Sequence, residues 1–366
     1  MTYRLFCLLM ILVLAVSCSK EGQTVVLPDP AERQPDDAPI VVVVYDADGV
    51  GDLSYNDLIY QGVEDAARQH GLRTMQLSPH SKSEGLAYLE TLFAQMSAAS
   101  DGVRRLCIVA SSVYDDFVRA NNKRLEANDC AALLYLETDR KLEGKGSTLT
   151  LPFYGAMYEA GSMASLFASE IILVGANPVD EPVAGALKGF TAGFNDRQAY
   201  ISEQHPADWE MWEGTLQTVY LKEKSGEGYD ADDAEVLAML KDNDIANEYT
   251  NLLVPVCGGA GNTFARLADV IGSYGLMGVD CVQNSVHSHL SVVKHIDRAV
   301  SRCIGQWLSA EGMPKHQVLG LSAGFTGVVL HPQNTEMKER VQQHLTDEER
   351  ARIHREALRK EEAYAQ

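Results

Sequence analysis

The sequence predicts an α/β protein of two lobes built on parallel sheets. Three observations carry this. The run Ile40–Val44 is β-branched throughout with no polar alternation, the pattern of a strand covered on both faces. From there apolar runs alternate with helix-period stretches, which implies parallel strands joined by right-handed crossovers. The stretch 38–366 also exceeds the usual single-core size, so two lobes of about 150 residues are expected.

The elements follow in order. Ile40–Val44 ends in a polar, glycine-punctuated loop (Asp46, Asp48, Gly49, Gly51, Asp52), and a helix pattern runs over Leu58–Gln69. A short strand at Arg73–Leu77, a helix at Glu84–Ala98 and a buried strand at Arg105–Ala110 come next. After Ser111 and Ser112 the spacing predicts a helix over Asp115–Ala127, then strands at Ala131–Leu136 and Ser147–Pro152. Helices are expected at Tyr158–Ser169 and Val183–Phe194 around a strand at Glu170–Gly175, whereas Trp209–Tyr220 fits neither period. Ala231–Asp242 reads as helix and Asn251–Val256 as a buried strand that opens into Gly258-Gly259-Ala260-Gly261. Beyond it come a helix at Thr263–Ser273, a strand at Met277–Val279 ending at Asp280, and a long helix at Ser291–Ser309. Strands at Gln317–Leu321 and Gly327–Leu330 and a charged helix at Asp347–Tyr364 complete the chain.

Ahead of the domain, residues 1–17 combine Arg4 with an apolar stretch, Leu5–Val16, shorter than the roughly 20 residues of a spanning helix. The sequence Leu14-Ala15-Val16-Ser17-Cys18 resembles a bacterial lipoprotein lipobox. It predicts cleavage before an acylated Cys18, which places the domain outside the cytoplasm on a lipid anchor. The stretch 18–37, rich in Pro, Asp and Gln between Glu21 and Asp37, reads as a tether.

Composition narrows the partners. A formal net charge of −20 repels nucleic acid and anionic membrane surfaces. The five cysteines after Cys18 are odd in number and lack C-x-x-C spacing, so buried free thiols are expected rather than a disulfide framework or a zinc site. The aspartates at 46, 48 and 52 lack the calcium-loop spacing and its distal Glu, and no metal or cofactor is expected. Gly320-Leu321-Ser322-Ala323-Gly324 matches the hydrolase elbow in letters. That elbow leads from strand to helix, and here a strand follows.

Gly51-Asp52-Leu53-Ser54-Tyr55-Asn56, with Gly62 behind it, resembles the D-x-S-F-N signature of the basic membrane protein family, the substrate-binding lipoproteins of ABC importers. Tyr158-Glu159-Ala160-Gly161, Gly189-Phe190-Thr191-Ala192-Gly193, Gly278-Val279-Asp280 and Ser291-Val292-Val293-Lys294-His295-Ile296-Asp297 resemble its further motifs in the same order. The resemblance implies a type I periplasmic-binding fold of two doubly wound parallel-sheet lobes with a hinged cleft, a purine nucleoside as ligand, ABC permease subunits as partners and no enzymatic activity. By that analogy the first lobe comprises 38–153 and 283–315, and the second 154–282 and 316–366.

The same analogy marks the ligand contacts. Tyr55 would supply a stacking face, and Asn56 a donor and an acceptor for a purine edge. Asp280, after a strand end, is placed to accept from ribose hydroxyls, and Lys294 to donate to the ligand or to pair with Asp280. Asp46, Ser111, Asp115 and Gly259 stand at other strand-to-helix junctions and complete the candidate set. Three positions depart from the family: Tyr55 replaces phenylalanine, residues near Ala186 are small where an aromatic is common, and Ala110-Ser111-Ser112 replaces a more glycine- and phenylalanine-like segment. A sensory or scaffold lipoprotein of the same fold, with no permease, is the alternative.

Overall fold

The computed structural model describes residues 34–47, 49–138, 140–204, 213–243, 245, 251–272, 274–283, 285–331 and 335–364. The expected leader, Cys18 and most of the tether lie outside them. In the first lobe β1 (Ile40–Val44), α1 (Tyr55–His70), β2 (Arg73–Leu77), α2 (Lys82–Ala98), β3 (Arg105–Val109), α3 (Asp115–Asn121), β4 (Ala131–Leu136) and β5 (Ser147–Thr150) follow one another. The chain then enters α4 (Tyr154–Ala164), β6 (Glu170–Gly175), α5 (Glu181–Gln204), β7 (Thr215–Tyr220), α6 (Asp233–Asp242), β8 (Asn251–Val256), α7 (Ala260–Ile271), β9 (Gly275–Asp280) and β10 (Ser288–Lys294). It continues through α8 (Ile296–Leu308), β11 (His316–Val318), β12 (Thr326–Leu330), α9 (Thr335–His344) and α10 (Asp347–Tyr364).

Two six-stranded sheets result, ordered β11-β5-β4-β3-β1-β2 and β12-β10-β9-β8-β6-β7. Among the described residues every strand pairing is parallel except β12 against β10. The unalternating apolar run of β1 is explained by its two faces. Val41 and Val43 join the core under α1 and α8, and Val42 and Val44 join the core under α2. The second lobe has one large core around β6, β8 and β9, sealed by α4 and α5. Cys107, Cys257, Cys281 and Cys303 are buried and Cys130 half-buried, all as free thiols.

The structure moves two lobe boundaries. The expected return near Gln283 falls instead at Lys294–Ile296, because β10 pairs with β9 and β12 in the second sheet. The expected exit near Lys315 falls at 319–325, because β11 pairs with β5 in the first sheet. The helix expected from Ser291 therefore starts at Ile296. Leu290 and Val292 are wanted as strand residues in the second-lobe core, and that tertiary demand overrides the helical period. The stretch that fits neither period ends in β7, an edge strand paired only with β6 and largely exposed. With little of it buried, an apolar alternation has no reason to appear.

Candidate functional site

The carboxyl ends of both sheets face one another at the crossings, and the loop between β1 and α1 meets the second lobe there. Two carboxylates shape this loop. Asp52 accepts the amides of Ser54 (2.9 Å), Asn56 (3.0 Å) and Asp57 (3.1 Å). Asp57 accepts those of Gly51 (2.6 Å) and Leu53 (2.8 Å). Asp52 thus satisfies N–H groups at the start of α1, and Asp57 folds the preceding loop back onto the helix. Burial pushes the Asp52 carboxyl up to about 7, against the opposing pull of its three amide donors.

Tyr55 and Asn56 open α1. The Asn56 amide nitrogen donates to Asp46 at 3.1 Å, while its buried Oδ1 has no hydrogen-bond partner. The Tyr55 hydroxyl is also buried without a partner. Burial, then the charges of Glu137, Asp46 and Asp280, hold that phenol well above its ordinary pKa. Carboxylates of both lobes therefore surround the ring.

The second lobe contributes Asp280 and Lys294, which end the adjacent strands β9 and β10, with Val293 in register with Asp280. Burial raises the Asp280 carboxyl, and Lys294 partly offsets it. The Lys294 ammonium lies 4.9 Å from the Phe153 ring centroid and 5.8 Å from that of Tyr55. Its ion pair crosses the cleft, 3.3 Å to Glu137 just past β4. Leu53, Glu137 and Asp280 are the non-glycine residues at positive φ (52°, 54° and 70°) among the described residues. All three sit in this cleft, where strained backbone commonly marks function.

The lobes also touch directly. The Asn262 side-chain amide donates to the carbonyls of Asp52 (2.9 Å) and Leu53 (3.3 Å). A Cβ on Gly259 would stand 3.2 Å from the Asp52 Cβ, so a larger residue there would press on the loop. Tyr229 donates to Asp180 at 2.8 Å, and the charges of Asp280 and Asp46 reach its phenol. It brings an aromatic to the cleft side of the second lobe, whereas Ala186 is buried in that lobe's core.

Asp46, Tyr55, Asn56, Gly259, Asp280 and Lys294 thus converge. Ser111 and Asp115 are engaged locally. Ser111 accepts the Val113 amide at 3.3 Å, and Asp115 pairs with Arg119 at 2.7 Å. Sequence reasoning misses Glu137, Asn262, Phe153 and Tyr229. Glu137 carries the signal that marks Asp46 and Asp280, a carboxylate directly after a buried strand. Among the described residues no three His, Cys, Asp or Glu cluster as a metal site, and no helix is long and apolar enough to cross a membrane. The G-x-S-x-G letters fall on a 3-10 turn that leads into β12.

No family profile and no curated protein sequence matches the chain. Solved structures do. An ABC transporter solute-binding protein from Aeropyrum pernix K1 matches at 17% identity over 89% of this chain and 90% of that one, with a TM-score of 0.64. A transcriptional activator of the comK gene from Bacillus halodurans matches at 14% identity, 83% and 95% coverage and a TM-score of 0.57. A solute-binding protein from Burkholderia graminis C4D1M in complex with D-arabinose matches at 14% identity, 82% and 98% coverage and a TM-score of 0.56. The fold is the type I periplasmic-binding fold.

Proposed function

We propose that this chain is an extracytoplasmic solute-binding lipoprotein, anchored through Cys18, that captures a purine nucleoside between its lobes for ABC-type import. One observation carries the reading. Tyr55 and Asn56 of the first lobe and Asp280 and Lys294 of the second meet in one desolvated cleft. Tyr55 offers a face for a base, and Asn56 Oδ1 accepts from a base amine. Asp280 accepts from ribose hydroxyls, with Lys294 donating to a ring or ribose oxygen. Asp46 holds Asn56 in place, and Gly259 lets the lobes approach. Ser111 and Asp115, engaged by Val113 and Arg119, are left out of this ligand set.

A thermal-shift screen over nucleosides, free bases and pentoses tests the assignment, since a ligand at 100 times its Kd adds about 2.7 kcal/mol. Adenosine, guanosine or inosine should raise the midpoint more than the matching base. Stabilisation by pentoses alone would replace the nucleoside with a sugar, the ligand class of the arabinose-bound neighbour. The neighbour described as a transcriptional activator favours a second reading, a sensory lipoprotein with this site and no permease. Co-purification with permease subunits from detergent-solubilised membranes separates the two.

A further inference from the structure

Lys294 has two carboxylates within electrostatic reach, Asp280 on the neighbouring strand of its own lobe and Glu137 on the other lobe. Its ion pair is with Glu137, at 3.3 Å. Only 6% of Lys294 is exposed, and an ammonium so desolvated needs a counter-charge. The backbone at Glu137 takes a positive φ of 54° directly after β4, a conformation a non-glycine residue holds only where the surroundings enforce it. Glu137 is otherwise unexplained by the site.

We propose that Glu137 is a positioning residue: on closure it draws the Lys294 ammonium across the cleft and so frees the Asp280 carboxylate to accept the ligand's hydroxyls. This rests on the nucleoside reading of the cleft. When the lobes separate, Glu137 leaves with the first lobe and Lys294 falls back on Asp280, one strand away. The open second lobe then carries a self-neutralised pair with no acceptor to offer. When the lobes meet, the ammonium changes partner, held between the Phe153 and Tyr55 rings. An ammonium has three N–H groups. One goes to Glu137, which leaves donors for the ligand while Asp280 stands unmasked. The acceptor is thereby presented only in a closed cleft. The titratable groups that face Glu137 are Lys294 on β10, Asp280 on β9 and the Tyr55 phenol on α1, and its carboxylate also accepts the Leu151 amide.

The test uses Glu137→Gln, Lys294→Met and the double variant, with adenosine and adenine as probes. In Glu137→Gln, Lys294 stays on Asp280, so adenosine affinity should fall about tenfold while adenine affinity holds. The double variant should bind adenosine no worse than Lys294→Met alone. Equal losses for adenosine and adenine, or no loss for either, would overturn the proposal. A ligand-free arm separates its failure from failure of the nucleoside reading. With no ligand to close the cleft the ammonium rests on Asp280, so carbon-13 carboxyl titration should give Asp280 a pKa that Lys294→Met raises, with Glu137 present or replaced by Gln. A Lys294→Met variant that leaves the Asp280 pKa unchanged would overturn the exchange, whatever ligand the cleft holds.

Discussion

Gly62 of α1 lies directly against the backbone of Asp297 in α8: a Cβ at Gly62 would stand 2.9 Å from the Asp297 carbonyl carbon. The second lobe repeats the device, since a Cβ at Gly161 of α4 would stand 2.9 Å from the Phe190 carbonyl carbon of α5. Several motifs that resemble those of the basic membrane protein family are thus two sides of a helix crossing. Gly62 faces the Asp297 that ends one motif, and Gly161 faces the Phe190 of another. Gly62 and Gly161 are packing residues.

Gly62→Ala should therefore destabilise the first lobe although alanine is the better helix former by about 1 kcal/mol. The added methyl meets backbone, which cannot rotate away, and overpacking of this kind costs about 1–3 kcal/mol. Urea unfolding of the variant measures it. A midpoint at or above wild type would mean that α1 and α8 separate freely.

Glu361 of α10 ties two lobe crossings together. Its buried carboxylate accepts the amide of Gly155 at 3.0 Å and that of Leu321 at 2.9 Å. Phe153 at the start of α4 has no side chain to cap it, so Glu361 supplies the cap from 206 residues away in sequence. Glu361→Leu leaves both buried amides unmatched and should cost about 2–4 kcal/mol. Glu361→Gln keeps one acceptor and should cost roughly half as much. Identical unfolding curves for the two variants would sink this account.

How much of this is legible in sequence differs by residue. Asp46 and Asp280 can be found because a lone carboxylate after a buried apolar run is a local signal. Glu137 bears the same signal, and only its cross-lobe partner distinguishes it from a turn residue. Lys294 is identified through its motif but falls in an expected helix, because Leu290, Val292 and Val293 become strand residues only through pairing with β9 and β12. Asn262 gives no signal at all. Its role is a bond to carbonyls 210 and 209 residues away.

Asp52 should impose a pH dependence on stability. Its carboxyl rises from 3.8 to about 7 in the folded state through burial. Between those values the folded protein binds the proton and the unfolded chain does not, so this contribution to stability is fully present below about pH 4 and declines as pH rises to about 7. The decline should be about 4 kcal/mol, from roughly three units at about 1.4 kcal/mol each. Asp52→Asn should flatten this part of the curve. It also loses the bond from the Asn56 amide, a pH-independent cost of about 1 kcal/mol. Chemical unfolding at pH 4, 5.5 and 7 measures both. Parallel curves for variant and wild type would show that Asp52 keeps an ordinary pKa.

Tyr55 offers the sharpest separation of ring from hydroxyl. Its Oη is buried with no hydrogen-bond partner, and such a group costs about 1–3 kcal/mol of lost hydration. Tyr55→Phe should therefore unfold at higher denaturant than wild type when no ligand is present. The ring, over which the Lys294 ammonium lies at 5.8 Å, remains available to stack on a base. Adenosine affinity of the phenylalanine variant should then stay within about threefold of wild type, less than about 1 kcal/mol. Tyr55→Ala removes the face and should lose about 1–3 kcal/mol of binding. Calorimetry on the three proteins decides between two uses of the residue. If Tyr55→Phe binds as weakly as Tyr55→Ala, the ligand bonds the hydroxyl and the ring does not stack. If Tyr55→Ala binds as well as wild type, Tyr55 is the first residue of α1 and no part of the site.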